Sequence, residues 1–375
     1  MNKGTKKRIL SGIALCTVTM SMLMSTGCGN TEKKKKIAVI TKQDIAFWHD
    51  VKAGAEDAAK DFGLTLLYNE GGETDYPVND NDYATQIEYI NYAIKEKVDA
   101  IVIAPNGTVE LNEAFARAEN AGIKLININS RANYGGILSC VSSSDEDGGH
   151  VAARHAADGV LLSDAVRLVM KQAGGATIED VKKLGKGAVA IIGHTAATAD
   201  RRIGGFKNET ATQIVRQMAA DGLDLTSMGL TQEQISEMFG KFFVDGEKCG
   251  TIDAAYEEAK KILTAKDSNV ICFFATNTNT TLGVCKAVDE LGLKDSVYVI
   301  GFNSDDKEIT YLKDDVLDGT VIQNPYNMGY VGVRYAKNAA AGDGIPGALD
   351  TGVTYITKDN LNDEYIQLLL HPDRY

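Results

Sequence analysis

From Ile37 onward the chain alternates short apolar, β-rich runs with stretches of helical spacing, and this βα rhythm constrains the fold more than any other feature. The first series reads IAVIT (37–41), LTLLYN (64–69), AIVIAP (100–105) and KLININS (124–130), followed after a polar stretch by ILSCVSS (137–143). Between them, Trp48, Val51, Ala55, Ala58, Ala59 and Phe62 fall on one helical face, and Ile87, Ile90, Ile94 and Val98 on another. Thr108 is placed to cap a third helix carrying Leu111, Phe115 and Ala118. A second series follows: AVAIIGH (188–194), KFFVD (241–245), VICFFAT (270–276), VYVIGF (297–302) and TVI (320–322), with a single late strand GVTYIT (352–357) and a short C-terminal helix. Two such arrays predict an α/β protein of two doubly wound parallel-sheet (Rossmann-like) domains facing one another. Segments 161–187 and 221–240 read as insertions into the second array, the latter with a helix that Thr231 can cap, and residues 68–82 as a long loop near a cleft rim.

The N-terminus is read as a targeting segment, not as part of the fold. Lys3, Lys6, Lys7 and Arg8 precede an apolar run over 9–24 that is too short for a permanent span, and Ser25, Thr26 and Gly27 lead into Cys28. Small residues before a cysteine, then Gly29, Asn30 and a lysine run at 33–36, resemble a bacterial lipoprotein signal, with residues 1–27 removed, Cys28 lipidated and 28–36 a linker. Ser25 stands where such signals usually have Leu. Loss of 1–27, which holds four Lys/Arg and no acid, takes the formal charge from −12 to −16. So acidic a surface repels nucleic acid. Cys140 and Cys272 lie in apolar strands and read as core thiols; spacing leaves a Cys272–Cys285 bridge open.

Catalytic and cofactor patterns fail on inspection. Residues 342–347 match G-x-G-x-x-G in letters only, because they follow a helix, contain Pro346 and open no helix. His150 and His155 lie five apart and cannot share a helix face as a metal pair. Neither a G-x-S-x-G elbow nor a phosphate loop is present, and the carboxylates are scattered on solvated faces. No enzyme activity, cofactor or metal is expected. His194 ends a strand, where a capping or rim role is expected.

The strand ends instead carry aromatics, amides and a guanidinium. Phe47 and Trp48 follow the first strand, Asn129 ends the fourth, Asp145 follows the fifth and Arg202 lies in the helix after the sixth; Asn277, Asn303 and Gln323 end three later strands. Ligands of parallel α/β sheets bind outside the carboxyl ends of the strands. Aromatic faces cover the apolar side of a sugar ring, while amides and arginine bond to adjacent hydroxyls. Each residue also has a plainer use: Trp48 in a core, Arg202 in a helix ion pair, Asp145 as the N-cap of a helix from Gly148, Asn129 and Asn277 in turns, Asn303 as a cap. Two adjacent aromatics cannot, on this reading, both face one core, and Gln323 before Asn324 and Pro325 fits no turn preference.

With these residues the sequence resembles the type I periplasmic sugar-binding proteins of the ribose-binding kind. The likeness spans 37 to about 357 and rests on FWHDVKAGAEDAAKDFG, VDAIVIAP, ENAGIKLININS, SSDEDGGHVAARH, ADRRIGGFKNE, ATNTNTTLGVCKAVDELG, VYVIGFNSDD and GTVIQNPYNMGYVGV. It implies a periplasmic-binding-protein type I fold with a three-segment hinge near 141–144, 322–324 and Thr351. The lobes are then 37–143 plus 324–350, and 144–323 plus 351–375. It further implies sugar contacts at Phe47, Trp48, Asn129, Asp145, Arg202, Asn277, Asn303 and Gln323. Asn129 and Asn303 stand where the family usually has acids, and Ser130 where an arginine often follows. The aromatic usually found before the helix at Asp253 has no counterpart. The implied protein is a monomeric, lipid-anchored extracytoplasmic receptor that binds a sugar or sugar-like molecule and serves an ABC permease, touching the membrane through its anchor only and binding no nucleic acid. The alternative is a sensor presenting its ligand to a chemoreceptor or histidine kinase. A modified, acidic or larger sugar suits the amide substitutions at least as well as plain ribose or glucose.

Overall fold

Strands of a parallel sheet covered on both faces need apolar residues at every position, because successive side chains enter opposite cores. The runs identified above supply them. The computed structural model describes residues 34–79, 81–161, 187–196, 198–220, 231, 233 and 240–372; the leader, Cys28 and most of both insertions, including the helix expected after Thr231, lie outside these. In chain order the elements are β1 (Lys36–Ile40), α1 (Ala46–Asp61), β2 (Thr65–Tyr68), α2 (Tyr83–Lys95), β3 (Ala100–Ile103), α3 (Asn112–Asn120), β4 (Lys124–Ile128), β5 (Ile137–Ser142) and α4 (Asp145–Ala156). Then come β6 (Val189–Ile192), α5 (Thr198–Ala220), β7 (Phe243–Asp245), α6 (Ile252–Leu263), β8 (Cys272–Ala275), α7 (Thr278–Glu290), β9 (Tyr298–Phe302) and α8 (Asp306–Lys313). β10 (Gly319–Gln323), α9 (Pro325–Ala341), β11 (Ala348–Asp350), β12 (Val353–Ile356) and α10 (Glu364–Leu370) complete them.

Two six-stranded sheets result, ordered β11-β5-β4-β3-β1-β2 and β12-β10-β9-β8-β6-β7, and both belong to one compact unit. Apart from the late edge strands the two orders are the same, each with the topology 2-1-3-4-5. All pairings are parallel except β10 with β12. In β1, Ile37 and Val39 enter the core under α1 and α9, while Ala38 and Ile40 enter the one under α2 and α3. The second sheet likewise separates two clusters. Burying each large aliphatic side chain stabilises the fold by about 1.5–3 kcal/mol.

Local details differ from the sequence expectation. The late strand is found at Val353–Ile356, paired with β10 in the second sheet, and an unexpected short strand before it, Ala348–Asp350, pairs with β5 in the first. Thr108 caps no helix, since α3 begins at Asn112 behind Leu111, which has no side-chain cap. The helix after β5 begins at Asp145, with Ser144 as its N-cap. Cys140, Cys249, Cys272 and Cys285 are all buried free thiols, so the 272–285 bridge does not form.

The chain crosses between the sheets after β5, after β10 and between β11 and β12. These crossings are bonded to each other. The Ser143 and Thr351 hydroxyls lie 2.9 Å apart, the Asn324 amide donates to Ser143 Oγ at 3.3 Å, and the Ser144 amide donates to Asp350 Oδ1 at 3.1 Å.

Candidate functional site

In a 2-1-3-4-5 sheet the loops diverge between the first and third strands, which opens a crevice at their carboxyl ends. Here those points lie between β1 and β3 and between β6 and β8. Around the second sheet the side chains form a polar lattice. Asp145 is the first residue of α4, where the helix dipole favours a carboxylate. Arg201 and Arg202 sit near the start of α5. The helices cross at van der Waals distance through two glycines: a Cβ on Gly149 would lie 2.1 Å from the Arg202 carbonyl oxygen, and one on Gly205 would lie 2.2 Å from that of Glu146. This approach carries Asp145 onto both arginines.

Asp145 Oδ2 accepts from Arg201 Nε at 3.1 Å and Nη2 at 2.7 Å, and Oδ1 accepts from Arg202 Nε at 2.9 Å. Arg202, 5% exposed, also donates through Nη1 to the Thr276 carbonyl at 2.6 Å and makes a long Nη2 contact of 3.5 Å to Gln323 Oε1. Its guanidinium carbon lies 3.6 Å from the Phe302 ring centre. Burial pushes the Arg202 pKa down and the Asp145 charge opposes that shift. A buried guanidinium is tolerable only when so fully bonded. Asp145, Arg202 and Gln323 thus come together, and two of them flank crossings between the sheets.

Asn277 is the N-cap of α7, its Oδ1 accepting from the Thr280 amide at 3.0 Å in a capping box. Its oxygen thus serves a helix cap, not the turn expected for it. Asn303 caps nothing, because Asp305 caps α8. Asn129 and Asn303 instead occupy equivalent places at the ends of β4 and β9, at φ of +59° and +89°, each donating its backbone N–H to the next strand, at Val141 and Val321. Asparagine tolerates this left-handed backbone better than most residues. Asn303 Nδ2 donates to Thr278 Oγ1 at 3.2 Å, and that hydroxyl donates to Glu308 Oε2 at 3.3 Å. Glu308 is fully buried, and burial pushes its carboxyl up to about 8.

On the first sheet, Trp48 is 4% exposed and packs in the core under α1 and α9, with half-buried Phe47 edge-on at 4.8 Å against the same cluster. The expectation that adjacent aromatics cannot share one core is corrected: Phe47 reaches it by packing on Trp48. His194, at the end of β6, is buried. Its Nδ1 lies 2.7 Å from Thr276 Oγ1 and its Nε2 lies 2.6 Å from Thr198 Oγ1. Burial, then the charges of Arg202, Lys248 and Lys42, pushes the imidazole down to about 3, so it is neutral. The sequence reading passed over Phe302, Thr276 and Glu308. Phe302 and Thr276 each directly precede a singled-out asparagine, a usable signal; Glu308 resembles any acid of a helix first turn.

Two parallel-sheet lobes with paired switch points and a bonded polar lattice at the strand ends define a bilobed ligand-binding protein. The chain belongs to the periplasmic binding protein domain family, which it matches over residues 37–344, and its relatives place it among the type I sugar-binding members. The ribose import binding protein of Bacillus subtilis is 24% identical over 343 residues, covering 87% of this chain and 92% of that protein. The D-allose-binding periplasmic protein of Escherichia coli is 24% identical over 302 residues, covering 78% and 80%. Among solved structures, a carbohydrate transporter solute-binding protein from Agrobacterium radiobacter in complex with D-arabinose has a TM-score of 0.66 at 26% identity, covering 91% of this chain and 100% of that one.

Proposed function

We propose that this chain is the solute receptor of an ABC importer, anchored at the extracytoplasmic face through a lipid on Cys28, which closes its two lobes on a sugar-like ligand and delivers it to the permease. The lobes are 37–143 plus 324–350 and 144–323 plus 351–375, the receptor is a monomer, and the bonded crossings serve as the hinge. Phe47, backed by Trp48, offers the aromatic face; Asn129, Asp145, Arg202, Asn277, Asn303 and Gln323 bind hydroxyls.

The observation that carries this reading is the bonding of Arg202 to both Asp145 and Gln323, which stand beside two of the crossings. A ligand that draws on Arg202 therefore acts on the segments about which the lobes turn. The test is a thermal-shift panel of sugars, polyols, sugar acids and nucleosides on the full chain, its Arg202→Ala variant and its Phe47→Ala variant. A ligand should raise the melting temperature of the parent and fail to raise that of either variant. An unchanged rise in Arg202→Ala would remove Arg202 from the site, and no rise with any compound would remove the receptor reading.

A further inference from the structure

Asn277 and Asn303 stand side by side at the carboxyl ends of β8 and β9. The two strands pair in parallel with Cys272 beside Tyr298 and Phe274 beside Ile300, and the same register carries Asn277 to Asn303. Neighbouring strands lie about 4.8 Å apart, so both amides are within reach of adjacent groups on one ligand. Their free atoms differ. Asn277 Oδ1 is taken by the Thr280 N–H at 3.0 Å, which leaves Nδ2, a donor. Asn303 Nδ2 is spent on Thr278 Oγ1 at 3.2 Å, and among the described residues nothing donates to its Oδ1, an acceptor. The Asn303 backbone is held as well: its N–H is bonded to the Val321 carbonyl, and its own carbonyl accepts from Thr320 Oγ1 at 2.6 Å.

Glu308 sets the direction of the Asn303 amide. In the capping box of α8 the Asp305 N–H donates to Glu308 Oε2 at 2.7 Å. A backbone N–H can only donate, so Oε2 meets it as an acceptor. The Thr278 hydroxyl, 3.3 Å from the same oxygen, spends its single proton there and is left to accept from Asn303. Asn303 therefore turns its NH2 to Thr278 and keeps its oxygen free. A capping box does not require its glutamate to be buried. Glu308 is fully buried all the same, and its other oxygen, Oε1, has no hydrogen-bond partner among the described residues. The Thr281 hydroxyl beside it donates instead to the Asn277 carbonyl at 2.8 Å. An unpaired buried oxygen costs stability, so the helix cap alone does not account for the placement of this side chain.

We propose that Glu308 is a positioning residue for the ligand: through Thr278 it holds Asn303 with its oxygen free. The ends of β8 and β9 then offer one donor, from Asn277, beside one acceptor, from Asn303, and select a sugar with two adjacent hydroxyls, one accepting and one donating. The proposal rests on the receptor reading above and adds to it the hydrogen-bond sense of two contacts. A hydroxyl meets either sense because it can turn its proton. Fluorine in its place cannot donate, and against Asn303 Oδ1 it sets acceptor against acceptor.

Calorimetric titration of the full chain with D-ribose, D-allose, D-arabinose, D-glucose and D-galactose finds the sugar bound, and its monodeoxyfluoro analogues then read the contacts one hydroxyl at a time. In the parent, fluorine at one position should weaken binding by about fivefold or more, as loss of one hydrogen bond does. Thr278→Val removes the hydroxyl, keeps the shape and leaves the α7 cap between Asn277 and Thr280 intact, so the Asn303 amide is free to turn its NH2 outward. The same fluorine should then lose most of its penalty, whereas a purely structural role for Thr278 would weaken the sugar and its analogue alike. Glu308→Leu frees the Thr278 hydroxyl to donate to Asn303 and should give the same change; Thr278→Val decides alone should Glu308→Leu not fold. Thr278→Ser and Glu308→Gln keep the hydroxyl and the accepting oxygen and should restore the parent pattern. No fluorine penalty in the parent, or an unchanged one in Thr278→Val, would overturn this inference and leave the receptor reading standing. Binding of none of these sugars would also overturn it, and the receptor reading falls with it only if the wider thermal-shift panel fails as well.

Discussion

The crossing of α4 and α5 makes the Asp145–Arg202 lattice depend on a methyl group. In Gly149→Ala the new Cβ would stand 2.1 Å from the Arg202 carbonyl oxygen and 2.6 Å from the Phe206 nitrogen, against an ordinary contact that begins at 3.4 Å. Both are backbone atoms and cannot swing away, so the helices must part by about 1.3 Å locally. Overpacking of this kind costs about 1–3 kcal/mol. In a chain of this size that lowers the melting temperature by roughly 2–4 °C per kcal/mol. The displacement falls on the residue whose side chain is bonded to Asp145 at 2.9 Å, and a shift of that size takes the pair beyond hydrogen-bond range. Ligand affinity should therefore fall by about tenfold or more, beyond what the loss of stability explains. Gly204→Ala is the control: it lies in the partner helix α5 beside the crossing glycine Gly205, nothing stands within 4 Å of its added Cβ, and it should leave stability unchanged or raise it by up to about 1 kcal/mol. Thermal unfolding and calorimetric titration of both variants check this. Equal melting temperatures and affinities for the two alanine variants would refute the claim that the glycine crossing sets the site.

Further outcomes follow from the buried groups. Burial pushes Glu308 up to about 8 and Asp318 up to about 6, so the folded chain holds protons that ordinary carboxyls lose near 4.5 and 3.8. Their contribution to stability is present below those values and is lost as pH rises through 6 and 8. Glu308→Gln should accordingly flatten the fall in melting temperature between pH 6 and 8, and an equally steep fall in the variant would count against the buried acid. His194 acts in the opposite sense. Its pKa is pushed down to about 3, so its contribution is present above 6.5 and lost as pH falls toward 3. Its ring protons in an NMR titration should not shift between pH 5 and 8. Asn303→Asp exchanges the donor to Thr278 for a carboxylate on the hydroxyl that bonds Glu308, and should destabilise the chain by about 1 kcal/mol or more. The loss should be larger at pH 8, where Glu308 begins to ionise, than at pH 5.

Sequence rhythm was sufficient for the architecture because parallel strands covered on both faces must be apolar throughout, as IAVI and AIVI are. It failed where an element draws its order from a neighbour. Ala348–Asp350 has three residues and no alternation, and becomes a strand by pairing with the edge at β5. Thr108 has a capping side chain, yet the helix starts a turn later, where Leu111 can be fully buried. At the site, chemistry was visible but partners were not. Arg202 and Asp145 were both conspicuous, while the sharing of Asp145 with Arg201 depends on how α4 and α5 cross. The Gly148–Gly149 and Gly204–Gly205 pairs were in view, but only the structure shows that Gly149 and Gly205 face each other's helix.

The left-handed asparagines join backbone conformation to side-chain chemistry. Asn129 and Asn303 end equivalent strands, and each turns its backbone to bond the neighbouring strand, a geometry that strains most side chains other than asparagine and glycine. Glycine would satisfy the backbone and leave no polar group at the strand end; aspartate would supply one with a charge. Asparagine satisfies the turn and keeps a donor and an acceptor there without adding a charge. Replacing both by glycine should accordingly preserve the melting temperature to within about 1–2 kcal/mol of stability while reducing ligand binding, since Gly carries a small entropic cost but no strain at positive φ. A double glycine variant that unfolds would show that the side chains are structural; one that binds normally would show that they are not contacts.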